Sequence, residues 1–335
     1  MGVKFLKPGL KVGLIGGGTM GTAHAEAYRV IENAELVAVA DLRPERAQAI
    51  ATKTGATVRT ASEIIADPNI DVIDVCLPTY LHRDYVVAAA EAGKHVFCEK
   101  PMARSLKEAE EMKAACEKAG VKLGIGHVVR FFPEYVRAYE KVKAGAVGDV
   151  AVVRCTRGGF PLPTAWQDWY ANYELSGGLV LDMIIHDFDF LRWLLGPAER
   201  VFAKSTRGRE YNRLEYALVT IKFKSGAIAH VEGSWVNGGG FHTRFEIAGS
   251  NGLIDYDSRK ANPITVTVAS KDGVPGVPVP ASAWVENPYT TEIRNFINVL
   301  DGKEGTIVDG NEGYESLRIA LAALESIETG KPVSL

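Results

Sequence analysis

The sequence predicts an α/β chain in two parts: an N-terminal doubly wound parallel sheet over residues 1–126, and a C-terminal α+β domain over 127–335 with a large open, mainly antiparallel sheet. Three observations carry this expectation. Up to residue 126, short apolar runs alternate with amphipathic stretches about six times, and the runs are apolar on both faces, as strands covered by helices on both sides must be. After residue 127 the pattern changes to alternating runs joined by tight-turn tripeptides. At 335 residues the chain is also too long for one ordinary core.

In the first part, LKVGLIG (10–16) is a strand running into glycines, and Thr19–Ile31 is the helix it feeds. ELVAVAD (35–41) is the second strand, after which Pro44 opens a helix at a favoured first-turn position. A short strand at Thr57–Arg59 leads to Ser62, the expected N-cap of EIIAD. IDVIDVCLP (70–78) and HVFCEKP (95–101) are further strands, separated by a helix ending at Ala92. Ser105 and Glu108 form a capping box for a helix ending at Gly120, and VKLGIG (121–126) closes the series. In the second part, a helix (Pro133–Ala144), a strand (Asp149–Arg157), an aromatic loop and the apolar helix LVLDMIIHDFDFLRWLLG (179–196) come first. The runs YALVTIKF, AIAHVEGSW, TRFEIAG, LIDYD and ITVTVAS follow, with turns at Lys224-Ser225-Gly226, Ser250-Asn251-Gly252 and Lys271-Asp272-Gly273, and helices Tyr289–Leu300 and Asn311–Thr329 end the chain.

A net charge of −3 with no Lys/Arg cluster gives no attraction to nucleic acid or an anionic membrane, so small molecules and copies of the chain itself are the expected partners. Cys76, Cys98, Cys116 and Cys155 show no C-x-x-C spacing, which suits reduced thiols in the cytoplasm. The N-terminus has no cleavable apolar leader pattern, and no run is long enough to span a membrane. An open sheet with helices collected on one side leaves its other face needing cover, so a homo-oligomer is expected.

Gly16-Gly17-Gly18-Thr19-Met20-Gly21 satisfies G-x-G-x-x-G between a strand and a helix, and Asp41 ends the second strand 20 residues beyond Gly21. The first glycine makes the turn, the second admits a pyrophosphate, the third lets helix pack on strand, and the helix N-terminus offers amides to phosphate. Asp41 suits the adenosine ribose of NAD, whereas Arg43 leaves NADP open. In open α/β sheets ligands lie outside the carboxyl ends of the strands, which places Leu77, Pro78 and Thr79, and then Glu99 and Lys100, near a cofactor. His82 opens the next helix, as a capping residue or a further cofactor contact. On the 179–196 helix, Asp182, His186, Asp189 and Trp193 lie along one side, while Ile184, Phe188, Leu191 and Leu195 form an opposite stripe. An Asp one turn before a His on an apolar helix is either a proton-handling pair or a self-satisfied buried pair, and no third ligand stands at metal-site spacing.

The series VGLIGGGTMG, VADLRPERA, CLPTYLH, CEKP, GHVVRFFPEY, SGGLVLDMIIHDFDFLRWLLG and SIETGKPV, running over nearly the full chain, resembles the Gfo/Idh/MocA (glucose-fructose oxidoreductase / inositol dehydrogenase / rhizopine catabolism) family. The resemblance implies an NAD(P)-binding Rossmann domain (1–126), a substrate-binding and oligomerisation domain (127–335), and a homodimer or homotetramer. It implies a dehydrogenase acting on a secondary alcohol of a cyclitol or sugar, with Lys100, Asp182 and His186 as the catalytic trio. It also implies Arg130 near the substrate and Tyr289 near the nicotinamide, and Trp169 is a candidate to stack on a sugar face. An NADP-dependent sugar dehydrogenase or reductase, an NAD-dependent glycosidase and a non-catalytic dinucleotide-binding regulator are the alternatives within the same family.

Overall fold

The computed structural model describes residues 9–159, 165–207, 214–236, 240–261 and 286–335. The chain divides into two compact units: the first takes the described residues up to Met102, Lys107–Gly126 and Glu286–Asn311, and the second takes Ala103–Leu106, those from His127 to Val285, and Glu312–Leu335. ITVTVAS and the Lys271-Asp272-Gly273 turn lie outside the described residues.

The first unit follows the expected alternation: β1 (Leu10–Ile15), α1 (Thr19–Tyr28), β2 (Ala34–Ala40), α2 (Pro44–Thr54), β3 (Thr57–Val58), α3 (Ala61–Ala66), β4 (Val72–Val75), α4 (His82–Glu91), β5 (His95–Glu99), α5 (Leu106–Ala119) and β6 (Leu123–Gly126). The six strands are parallel in the order β3-β2-β1-β4-β5-β6, so the topological switch lies between β1 and β4. The cap of α3 differs from expectation. Thr60, not Ser62, is the N-cap, because Thr60 and Glu63 hydrogen-bond each other's backbone amides in a reciprocal capping box.

The second unit contains α6 (Pro133–Lys143), β7 (Val150–Gly158), α7 (Tyr173–Ser176), α8 (Gly178–Asp182), α9 (Ile185–Leu195), β8 (Ala198–Arg207), β9 (Leu214–Phe223), β10 (Ile228–Ser234), β11 (His242–Gly249), β12 (Gly252–Asp257) and α10 (Ser258–Ala261). Its seven-stranded sheet runs β12-β11-β7-β10-β9-β8-β13, with β13 at Val333–Ser334. Strands β8 and β13 were not expected. β8 escapes the pattern because Lys204, Ser205 and Thr206 dilute its alternation, although Val201 and Ala203 are buried. The sheet is mainly antiparallel, but β7 and β10 pair in parallel. The long connection through α7–α9, β8 and β9 permits that, whereas a hairpin would not.

Two further differences matter for function. The 179–196 helix is broken. The Leu179 carbonyl accepts from the amides of both Met183 (3.0 Å) and Ile184 (3.1 Å), and this extra residue in the turn separates α8 from α9. Asp182 and His186 therefore stand on either side of a break rather than on one stripe.

The single boundary expected at 126/127 is joined by a return crossing. α11 (Pro288–Leu300) belongs to the first unit because Ile293, Phe296 and Ile297 are fully buried in its core, with Phe296 against Phe97 at 5.2 Å between ring centroids. The chain then runs beside β6, where Ile125 donates to the Val308 carbonyl at 2.8 Å, and α12 (Gly310–Thr329) carries it into the second unit. Phe296→Ala should accordingly destabilise the first unit by about 3–5 kcal/mol, read as a lower denaturation midpoint, because the fully buried ring packs on Phe97 and over Gly124, which has no side chain to take up the space.

Candidate active site

The glycine turn is built for close approach. Gly16 has φ +106° and its amide donates to Ala40; a Cβ there would lie 2.3 Å from the Cys76 carbonyl oxygen. At Gly21 a Cβ would lie 1.8 Å from the Gly16 carbonyl oxygen, so helix and strand can meet only over glycine. Gly18, the N-cap of α1, brings no capping side chain and has open space where a Cβ would stand. The first amides of α1 are thus available to an anion. Thr19 is exposed and Met20 half-buried beside them. Asp41 is held at this turn: its carboxylate accepts from the amides of Gly17 (2.7 Å) and Arg43 (2.8 Å) and from Arg43 Nε (3.3 Å). Past β4, Leu77 and Pro78 are half-buried and Thr79 starts a short 3-10 turn. These features fit a dinucleotide with an unphosphorylated adenosine ribose.

Two residues expected at the cofactor face inward instead. His82 is fully buried; its Nδ1 lies 2.9 Å from the Pro101 carbonyl oxygen and its Nε2 2.7 Å from that of Leu77. The ring sits between the loops after β4 and β5, and whichever nitrogen carries the proton donates to its carbonyl. It does not cap α4, which begins with no side-chain cap. Burial pushes its pKa down, and the two carbonyls only partly offset this. Glu99 is also buried: Oε1 meets His24 Nε2 at 3.2 Å and Oε2 accepts the Lys100 amide at 3.0 Å. Lys100 follows, half-buried, with a cis peptide to Pro101.

In the second unit every residue from Ser176 to Leu191 is buried except His186, which is half-buried. Asp182 is 8% exposed. The neighbouring acids are taken up by arginines. Asp187 receives Arg157 through Nε (2.7 Å) and a terminal nitrogen (3.1 Å), and Asp189 receives Arg130 through Nε (2.8 Å) and a terminal nitrogen (2.7 Å). That terminal nitrogen of Arg130 also reaches Glu312 at 2.7 Å, and Arg192 meets the same Glu312 oxygen at 2.6 Å. Ser316 donates to Asp189 at 3.0 Å. Arg130, expected near the substrate, is therefore a buried clamp with three of its N–H groups committed. Asp189 and Trp193 belong with that clamp, Trp193 stacking on Tyr139 at 3.8 Å.

Burial alone would raise the Asp189 pKa, but Arg130, with His127 and Ser316, holds it below the usual aspartate range. Trp169 is half-buried and stacks on Tyr170 at 4.2 Å. Tyr289, back in the first unit, sits in the first turn of α11 and is 8% exposed. Two further buried histidines emerge here. His24 lies on the inner face of α1, and His127, fully buried, meets the His186 ring edge-on at 6.3 Å. Each has only its place inside a motif, GTMGTAH and GHVVR, to mark it.

The NAD-binding Rossmann domain of the Gfo/Idh/MocA oxidoreductases matches residues 10–127, and the Gfo/Idh/MocA C-terminal domain matches residues 135–255. The chain belongs to this family. It is an NAD-binding oxidoreductase. It is 33% identical to myo-inositol 2-dehydrogenase of Thermotoga maritima, over 97% of this chain and 98% of the relative, and 31% identical to inositol 2-dehydrogenase of Rhizobium meliloti, over 97% and 99%. Its fold matches that of GenD2 from gentamicin A biosynthesis, solved in complex with NAD, with a TM-score of 0.87 at 27% identity, covering 99% of this chain and 98% of GenD2. No helix among the described residues is long and apolar enough to cross a membrane.

Asp41→Ala should remove the carboxylate that repels a 2′-phosphate and release Arg43 from its pairing. The ratio of kcat/KM with NAD to that with NADP should fall about tenfold, with the melting temperature little changed. Asp189→Ala should act on the fold instead, costing about 3 kcal/mol by leaving Arg130 short of its main partner. Because the folded-state pKa of Asp189 is lowered, the clamp stabilises fully above about pH 4 and is lost as pH falls below that. Melting curves of the variant should lack this part of the acid limb.

Proposed function

We propose that this family member is an NAD-dependent dehydrogenase that oxidises a secondary alcohol of a cyclitol or sugar, or reduces the corresponding ketone, in the cytoplasm. Bound NAD supplies the hydride acceptor. The chain's own residues handle the oxygen and its proton. Lys100 donates a hydrogen bond to the reacting oxygen and stabilises its developing negative charge. His186 takes the hydroxyl proton on oxidation and returns it on reduction, an exchange suited to an imidazole. Asp182 orients His186 or grips a neighbouring hydroxyl, Trp169 packs on the ring's C–H face, and Tyr289 adjoins the nicotinamide. The observation that carries this reading is the selective exposure of His186 in an otherwise buried segment whose other acids, Asp187 and Asp189, are consumed by arginines. Inositol dehydrogenases among the relatives point to the substrate class.

We also propose a homodimer or homotetramer formed through the outer face of the seven-stranded sheet. Val219, Ala229 and Val231 turn into the core, while Leu218 (43% exposed), Ile228 (40%) and Phe202 (36%) stand on the opposite face. Light scattering at micromolar concentration should report two or four copies; a stable monomer would remove this inference.

The functional test is NADH formation across a panel of inositols, free sugars, sugar acids and nucleotide sugars. The expected result is turnover of a free polyol or sugar. On that substrate Lys100→Ala and His186→Ala should each lower kcat by roughly 10²–10⁴-fold with NAD affinity nearly unchanged. If His186→Ala keeps wild-type turnover but melts early, the histidine is a packing residue and this assignment fails.

A further inference from the structure

Beneath the glycine turn, α1, β4 and β5 enclose a cluster of polar groups that neither the glycine turn nor the proposed chemistry uses. His24 is fully buried. Its Nδ1 lies 2.9 Å from Asp74 Oδ2 and 3.2 Å from Cys76 Sγ, and its Nε2 lies 3.2 Å from Glu99 Oε1. The Tyr28 hydroxyl donates to Asp74 at 2.9 Å, and the Phe97 ring packs on the imidazole at 5.6 Å. Each ring nitrogen faces a carboxylate, and carboxylates only accept, so the ring must donate from both sides. Burial opposes a charge on His24, but Asp74 and then Cys76 outweigh it and hold the pKa well above the usual histidine value.

The Glu99 carboxylate is the link outward. One oxygen is held by His24 and the other receives the Lys100 amide. Glu99 lies flat over β6, where Gly126 pairs with it in register and a Cβ would come within 3.2 Å of its Cδ. On the far side of Lys100, the Pro101 carbonyl is held by buried His82. The backbone on both flanks of Lys100 is thus braced by a buried histidine from a different helix.

We propose that His24 is a positioning residue for Lys100, acting through Glu99: it fixes the turn after β5 so that the lysine's Cα–Cβ direction is set before any ligand arrives. The catalytic consequence rests on the reading of Lys100 given above. The positioning itself does not.

The first measurement therefore needs no substrate. Peptide mass spectrometry follows the labelling of Lys100 by trinitrobenzenesulfonate in wild type, His24→Gln and Glu99→Gln, with exposed Lys53 as the internal control. Glu99→Gln releases the turn and removes a buried negative charge, both of which favour reaction of the amine, so Lys100 should label about threefold faster or more; His24→Gln releases the turn but removes a buried positive charge, which opposes reaction, so a smaller gain there reports the turn alone, and Lys53 should not change in either. Should His24→Gln fail to fold, Glu99→Gln decides alone, since its single amide oxygen cannot serve both the His24 Nε2–H and the Lys100 amide, as the two carboxylate oxygens do. Labelling of Lys100 at the wild-type rate in folded Glu99→Gln overturns the proposal.

The second measurement is kcat on the polyol turned over in the panel. His24→Gln should lower it about tenfold in the wild-type background and by less than about twofold in a Lys100→Ala background, because the effect passes through the lysine. Equal factors in both backgrounds overturn the proposal. Full activity of Lys100→Ala alone would instead sink the assignment of Lys100, leaving the labelling result to judge His24.

Discussion

Buried carboxylates have to be matched by buried cations, and in this protein that requirement fixes the polar framework of each unit. Asp74 and Glu99 share His24, Asp187 takes Arg157, and Asp189 takes Arg130. Such pairs add little net stability over a well-packed apolar core, because the desolvation of both partners offsets most of their attraction. Their effect is directional. A misaligned pair leaves an uncompensated charge costing several kcal/mol, so each one admits a single arrangement of the elements that carry it.

The helix carrying His186 shows what such a constraint adds to apolar packing. Asp187 and Asp189 are two residues apart and so point to roughly opposite sides of α9. Arg157 comes from β7 on one side; on the other, Arg130 follows β6 and is backed by Glu312 and Ser316 of α12. Apolar contacts at Ile185, Phe188 and Leu191 would tolerate a small rotation or slide of the helix. Two bidentate guanidinium pairs do not, since either movement breaks planar geometry at both ends. His186, one residue before the first clamp, inherits that fixed orientation.

Much of this was legible in the sequence because it rests on local rules. The glycine turn, Asp41 at the end of β2, the strand–helix alternation and the Glu99-Lys100-Pro101 turn are all short-range signals. The features that escaped depend on partners distant in the chain or on backbone detail. Helical spacing places Asp182, Asp187 and Asp189 but says nothing of an extra residue in the turn at Leu179, nor of arginines that lie 30 and 59 positions from their acids. The family resemblance implied a substrate contact at Arg130 and the strand-end rule a cofactor contact at Glu99, with His82 read as a cap or a further cofactor contact; the buried groups that each of them meets, 59, 75 and 19 positions away, are not visible from the neighbouring residues. The return of 286–311 to the first unit is equally silent, since an amphipathic helix shows which face is apolar but not which core receives it.

The aromatic segment before α8 is held differently. Gln167 and Asp168 have φ of 52° and 47°, a left-handed conformation that costs side-chain-bearing residues of order 1 kcal/mol or more and persists only where the surroundings over-determine it. Those surroundings are visible. Buried Ser176 shares its hydroxyl proton between the Tyr170 and Asn172 carbonyls and accepts from the Gly178 amide, while Asn172 caps α7. Arg104 adds donors to the Tyr173 and Glu174 carbonyls. The loop is thus fastened just after its strained pair, and the stacked rings of Trp169 and Tyr170 lie between the strain and the fastening. A ring surface held in this way is ordered in advance, so a ligand that stacks on it does not have to supply the roughly 0.5–1.5 kcal/mol that ordering each side chain otherwise costs.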